Sequence, residues 1–79
     1  MTLDELGVGQ SAYIRKIKSD LPMRRRLLDL GLVPDTEVML IKTAPGGDPV
    51  DIYIRGFELT IRKESAKGIE IERIKNDEP

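Results

Sequence analysis

The chain has 79 residues, 13 basic against 14 acidic, a net charge of −1, and neither cysteine nor histidine. This composition excludes disulfides, Cys/His metal sites and any Ser-His-Asp mechanism, and it gives no overall electrostatic pull toward nucleic acid. No apolar run reaches about 18 residues and the opening MTLDELGVG is too acidic for a signal peptide, so a single soluble intracellular domain is the expectation.

Thr2-Leu3-Asp4-Glu5 has the form of a capping box, and the short turn it starts points Leu3 and Leu6 inward. Gly7 and Gly9 end that turn. Residues 11–18, SAYIRKIK, read as a first strand with Ala12 and Ile14 on one face and Tyr13 and Arg15 on the other. Ile17 breaks the alternation, which places a bulge or the strand end near Lys16.

Residues 19–32, SDLPMRRRLLDLGL, read as a helix of about three turns. Ser19 or Asp20 caps it, Pro22 falls in the first turn, and Gly31 is placed for the left-handed residue that ends it. Met23, Leu27 and Leu30 share a face at i, i+4 and i+7, with Leu28 beside them. A second strand follows, over residues 37–43. Val38 and Leu40 point one way and Met39 and Ile41 the other, so both sides of it need a covering layer or a partner.

The stretch APGGDPVDIYIRGFELTIR, residues 44–62, is a Gly/Pro-rich loop followed by a hairpin. A two-residue turn at Arg55-Gly56 sets Ile54 opposite Phe57, Ile52 opposite Leu59 and Val50 opposite Ile61, with all six apolar side chains on one face. KESAKG fits a single helical turn and IEIER a last strand with Ile69 and Ile71 inward. The expected domain covers residues 2–74, with a polar tail over 75–79. Five short strands with a helix after the first make a mainly β protein, a small barrel or tightly rolled sheet.

Charge is unevenly spread. Residues 10–26 carry a local net charge of +5 and residues 64–79 a net of −2. A solvated face balancing an acidic tail accounts for this, and a binding patch over Arg24, Arg25 and Arg26 is the sharper alternative. No P-loop is present, and GVGQSA leads into a strand rather than a helix. Glu70 and Glu72, on alternate strand positions, fit a solvated strand face better than a cation site. Asp48, between Gly47 and Pro49, fits an ordinary turn-capping role. No catalytic residue, cofactor or metal-ligand set is assigned, and no tight Fe(II) site is expected on the isolated chain. Two tyrosines on different strands make a weak case for single-stranded nucleic acid.

LLDLGL, the P-x-T-E-V lead into the second strand, AP-x-GDP, and RG before an alternating strand stand in this order from Leu27 onward. Together they resemble the FeoA family, ferrous iron transport protein A, over nearly the whole chain. Asp35 stands where the family usually has glycine, and Gly46 where a larger apolar residue is common. The resemblance implies an SH3-like β-barrel with a helical insertion. It further implies a non-enzymatic cytoplasmic accessory that docks on the cytoplasmic side of FeoB, the membrane Fe(II) transporter, and modulates transport. The hairpin then serves as scaffolding. Candidate contact residues are Leu30 and Leu32 at the helix edge, with Leu32 as the anchor, although plain core packing accounts for both slightly better. Arg24, Arg25 and Arg26 form the rim, and Pro45 and Asp48 stand in the loop. A free-standing regulatory SH3-like domain, similar to the C-terminal domain of metal-dependent repressors, is the alternative.

Overall fold

The computed structural model describes residues 1–74; the expected polar tail over 75–79 lies outside them. A 3-10 turn over Leu3–Glu5 precedes β1 (Ser11–Ile17), α1 (Leu21–Asp29) and β2 (Glu37–Thr43). A second 3-10 turn over Pro45–Gly47 leads to β3 (Val50–Ile54), β4 (Phe57–Ile61), α2 (Lys63–Ala66) and β5 (Ile69–Arg73). All strand pairings are antiparallel, in the order β4-β3-β2-β1-β5. The mainly β architecture with a helix after the first strand is the one expected from the sequence.

Inward residues of every strand meet in one core, joined by Leu3, Leu6, Leu27, Leu32 and Ala66, and among the described residues no polar or charged side chain is buried. In β1 the ladder to β5 shifts between Ile14 and Lys16, and that bulge returns Ile17 to the interior. A second shift, between Leu40 and Lys42 of β2, lies on the adjacent strand. Bulges sharpen local twist, so two on neighbouring central strands help to roll the sheet. The doubly apolar β2 is resolved by the same geometry: Val38 and Leu40 face the core, while Met39 stands on the outer face beside Tyr53.

The β3–β4 register matches the expected pairs, Ile54 with Phe57, Ile52 with Leu59 and Val50 with Ile61. Its turn has positive φ at both central residues, 51° at Arg55 and 92° at Gly56, the requirement of a type I′ hairpin. Phe57 departs from the reading that put it in the core. It is 44% exposed, because β4 is an edge strand and no neighbouring strand covers that side of the ring.

The two edges of the sheet are finished differently. Along β5 the Ile71 N–H donates to the Met1 carbonyl at 2.9 Å and Thr2 bridges Glu70. The Thr2–Glu5 capping box holds that N-terminal segment in place, with the Thr2 N–H donating to Glu5 Oε1 at 2.8 Å. Along β4, backbone hydrogen bonding among the described residues is confined to the ladder with β3.

Since a Cβ at Gly56 would meet nothing within 4 Å, the cost of Gly56→Val is conformational. A urea titration should show a loss of about 1–3 kcal/mol. Arg55→Asn, which relieves a non-glycine residue in the left-handed region, should be neutral or stabilising.

Candidate functional site

Helix α1 starts where the Asp20 carboxylate accepts from the Met23 N–H at 3.1 Å. It ends at Gly31, whose φ is 102°. The Gly31 N–H bonds to Leu28 O and the Leu32 N–H to Leu27 O, both at 3.0 Å. These two bonds make a Schellman motif, which brings the residue after the glycine back against the last inward turn of the helix.

That geometry corrects the expectation for Leu32. Its relative exposure is 0% and it belongs to the core with Leu27, so it cannot anchor a partner. Leu30, expected to share the packing face, is instead 36% exposed at the helix end. Met23 and Leu28 pack at the rim of the core, and Leu27 is the one fully buried side chain of α1. The helix is therefore held to the barrel by a narrow stripe. Arg24, Arg25 and Arg26 are all exposed and none makes an ion pair among the described residues.

The loop carrying Pro45 and Asp48 is pinned rather than free. Gly46 and Gly47 have φ of 86° and 89°, and the Asp48–Pro49 peptide is cis. Ala44 N–H donates to Pro49 O at 2.9 Å, and the Asp48 carboxylate accepts from the Lys63 N–H at 2.8 Å. Asp48 thereby satisfies one of the free N–H groups at the start of α2, a cap supplied from outside the helix. Pro45 is exposed and lines a shallow groove with Lys42, Thr43 and Pro49. Ser65 Oγ of α2 donates to Met23 Sδ at 3.6 Å, so α2 abuts both the loop and α1.

Two grooves were not anticipated from the sequence. One lies on the outer sheet face, lined by Thr36, Glu37, Met39, Tyr53 and Arg55. The other runs between α1 and β4, with Met23, Leu27, Leu30 and Ile61 on its floor and Arg26 and Arg62 at its sides. Strand order decides that β4 is an edge, and no local pattern announces it.

Ion pairs elsewhere tie parts of the scaffold together. Arg15 joins Asp35 at 2.5 Å and Glu72 at 2.8 Å, and its guanidinium lies 5.3 Å from the Tyr13 ring centroid. Hydrogen bonding to Glu72 is the main reason its pKa is raised. Asp35 meets this arginine from a left-handed position, φ 69°. Lys18 pairs with Glu70 at 2.7 Å and its hydrogen bond holds that carboxyl below the ordinary value of 4.5. Glu70 and Glu72 thus serve separate cross-strand pairs. Among the described residues no group of three potential metal ligands converges.

The FeoA domain profile matches residues 1–73. The chain belongs to the FeoA family. It is 32% identical over 77 residues to the Fe(2+) transport protein A/Fe(2+) transporter FeoB fusion protein of Porphyromonas gingivalis. That match covers 98% of this chain and 9% of the length of the fusion protein. The solution structure of FeoA from Chlorobium tepidum superposes with a TM-score of 0.90 at 37% identity, over 99% of this chain and 74% of that one. Zinc-complexed FeoA from Stenotrophomonas maltophilia, described as a prokaryotic SH3 domain protein, gives 0.82 at 29% identity, over 91% and 89% of the two chains. The fold is the SH3-like barrel of these FeoA proteins. A manganese-dependent transcriptional repressor shares it at 15% identity and a TM-score of 0.83, over 94% of this chain and 41% of the repressor, a likeness of fold alone.

Two stability measurements follow. Leu32→Ala should cost about 2–5 kcal/mol in a urea titration, as buried leucines do, whereas Leu30→Ala should stay within about 1 kcal/mol of the parent. Because the Glu70 pKa is lowered on folding, its pairing with Lys18 stabilises the fold above the ordinary value of 4.5 and is lost as pH falls through the lowered one. Glu70→Gln should therefore lower the urea midpoint slightly at neutral pH and leave no difference from the parent in strong acid.

Proposed function

We propose that this FeoA domain acts on a FeoB-type Fe(2+) transporter by docking on its cytoplasmic side and modulating transport, with no catalysis of its own. The observation that carries this reading is the Porphyromonas gingivalis relative, in which a matching FeoA sequence and the transporter are one polypeptide. Fusion puts two domains at high local concentration, an arrangement that suits direct contact between them.

The cytoplasm fits a cysteine-free domain, and no helix among the described residues is long and apolar enough to cross a membrane. A standard interface takes about 800 Å² from each partner, a substantial share of the 5211 Å² this domain exposes. Docking would occupy one face and suit a reversible, regulatory contact. The α1 region fits best, since Arg24, Arg25 and Arg26 fan around the exposed helix with no ion-pair partner among the described residues, and Leu30, one turn beyond Arg26, offers an apolar anchor. Long-range attraction to an acidic surface would then speed encounter.

Binding of the purified domain to detergent-solubilised FeoB tests this. The parent should bind, and the triple variant Arg24→Glu, Arg25→Glu, Arg26→Glu should bind more weakly, with the deficit largest at low salt. Circular dichroism of the variant should match the parent. Absence of parental binding at any ionic strength would overturn the reading, and equal binding by a folded triple variant would move the surface away from α1.

A further inference from the structure

We infer that the open edge of β4, together with the groove beside α1, binds an extended acidic segment of the partner protein by strand addition. The inference rests on the docking reading above and names the surface and the chemistry it takes.

Unequal treatment of the two sheet edges is the first ground. Met1 and Thr2 cover part of the β5 edge through a backbone hydrogen bond and a bridge, whereas β4 has no comparable cover among the described residues. An exposed row of backbone donors and acceptors is a template for another strand, and peptide recognition by sheet extension uses it. Five residues, Phe57–Ile61, present about 17 Å of such an edge.

The inward side of β4 supplies the second ground. Phe57 is largely exposed and Leu59 only partly buried, although both share the core-facing register with the fully packed Ile61. An added strand with apolar residues at alternate positions would cover them. The adjoining groove contributes Met23, Leu27 and Leu30.

Charge identifies the occupant. Arg26 and Arg62 flank the groove, and neither makes an ion pair among the described residues. Glu58, the one acid of β4, is paired with Tyr53 in the outward register and so faces away from the core side. A segment alternating apolar and acidic residues matches both the edge and its flanks. A second copy does not. Its β4 carries a single acid, Glu58, and it would bring a second Arg26 and Arg62 rather than the acidic side chains that these arginines call for.

The test is a titration of the isotope-labelled domain with a short peptide of alternating valine and glutamate, read by amide chemical shifts. Shifts confined to residues 57–62 and the end of α1 are expected. A peptide of the same sequence, N-methylated at alternate amides, should leave the resonances of those residues unmoved. The double variant Arg26→Glu, Arg62→Glu should bind about tenfold more weakly. Equal binding of the methylated peptide would overturn strand addition, as would shifts on the outer face around Met39 and Tyr53 or none at all. Concentration-dependent shifts of β4 without peptide would overturn it in favour of self-pairing. A parallel titration with FeoB separates the two readings. If FeoB binds without perturbing β4, the edge site fails and docking stands. If the peptide occupies β4 while FeoB does not bind, the edge site stands and the docking reading fails.

Discussion

The Arg55-Gly56 turn fixes a register from which the rest of the structure follows. Side chains alternate strictly across a strand, so a slip of one residue in the β3–β4 hairpin would turn Val50, Ile52 and Ile54 against water or do the same to β4. A sequence with neither cysteine nor histidine has no disulfide and no Cys/His metal site to absorb such an error. It therefore holds a non-glycine residue, Arg55, in a left-handed conformation. Register then places the inward side chains of every strand on one face, and two bulges in β1 and β2 help to curve that face around them.

Because one sheet face makes almost the whole core, the other elements are attached lightly. α1 fully buries only Leu27, and the Schellman bonds that follow it commit Leu32 to the same core. α2 is a single turn capped from a distant loop by Asp48 and tied to α1 by Ser65 and Met23. Light attachment leaves the three arginines of α1 exposed, and the strand order leaves β4 as a bare edge beside the helix. Under the docking proposal, that is the surface for contact.

Much of this was legible in residue spacing. The hairpin register came directly from alternation around a glycine, the bulge from the misplaced Ile17, and the helix stop from Gly31. Leu32 was misplaced for an identifiable reason. Leu27, Gly31 and Leu32 spell the Schellman pattern with its apolar contact, and reading the residue after the glycine as uncommitted ignored that contact. Phe57 was misplaced because register tells which face a side chain takes and says nothing about whether a neighbour covers it. Coverage depends on strand order, a long-range property. The groove between α1 and β4 was hidden for the same reason, since Arg26 and Arg62 are brought together only by folding. Asp48 was expected to cap its own turn; its carboxylate instead accepts from the Lys63 N–H, a partner too far along the chain for local patterns to show.

The central claim is that a register-locked barrel presents β4 and α1 to the transporter. Hydrogen exchange of the backbone amides, with and without detergent-solubilised FeoB, tests it most directly. The account predicts that FeoB slows exchange along residues 57–61 and in α1, while the β1–β2 ladder stays as it is in the free domain. Protection that appears instead on the β1–β2 outer face or the β5 edge, with residues 57–61 and α1 unchanged, would contradict it.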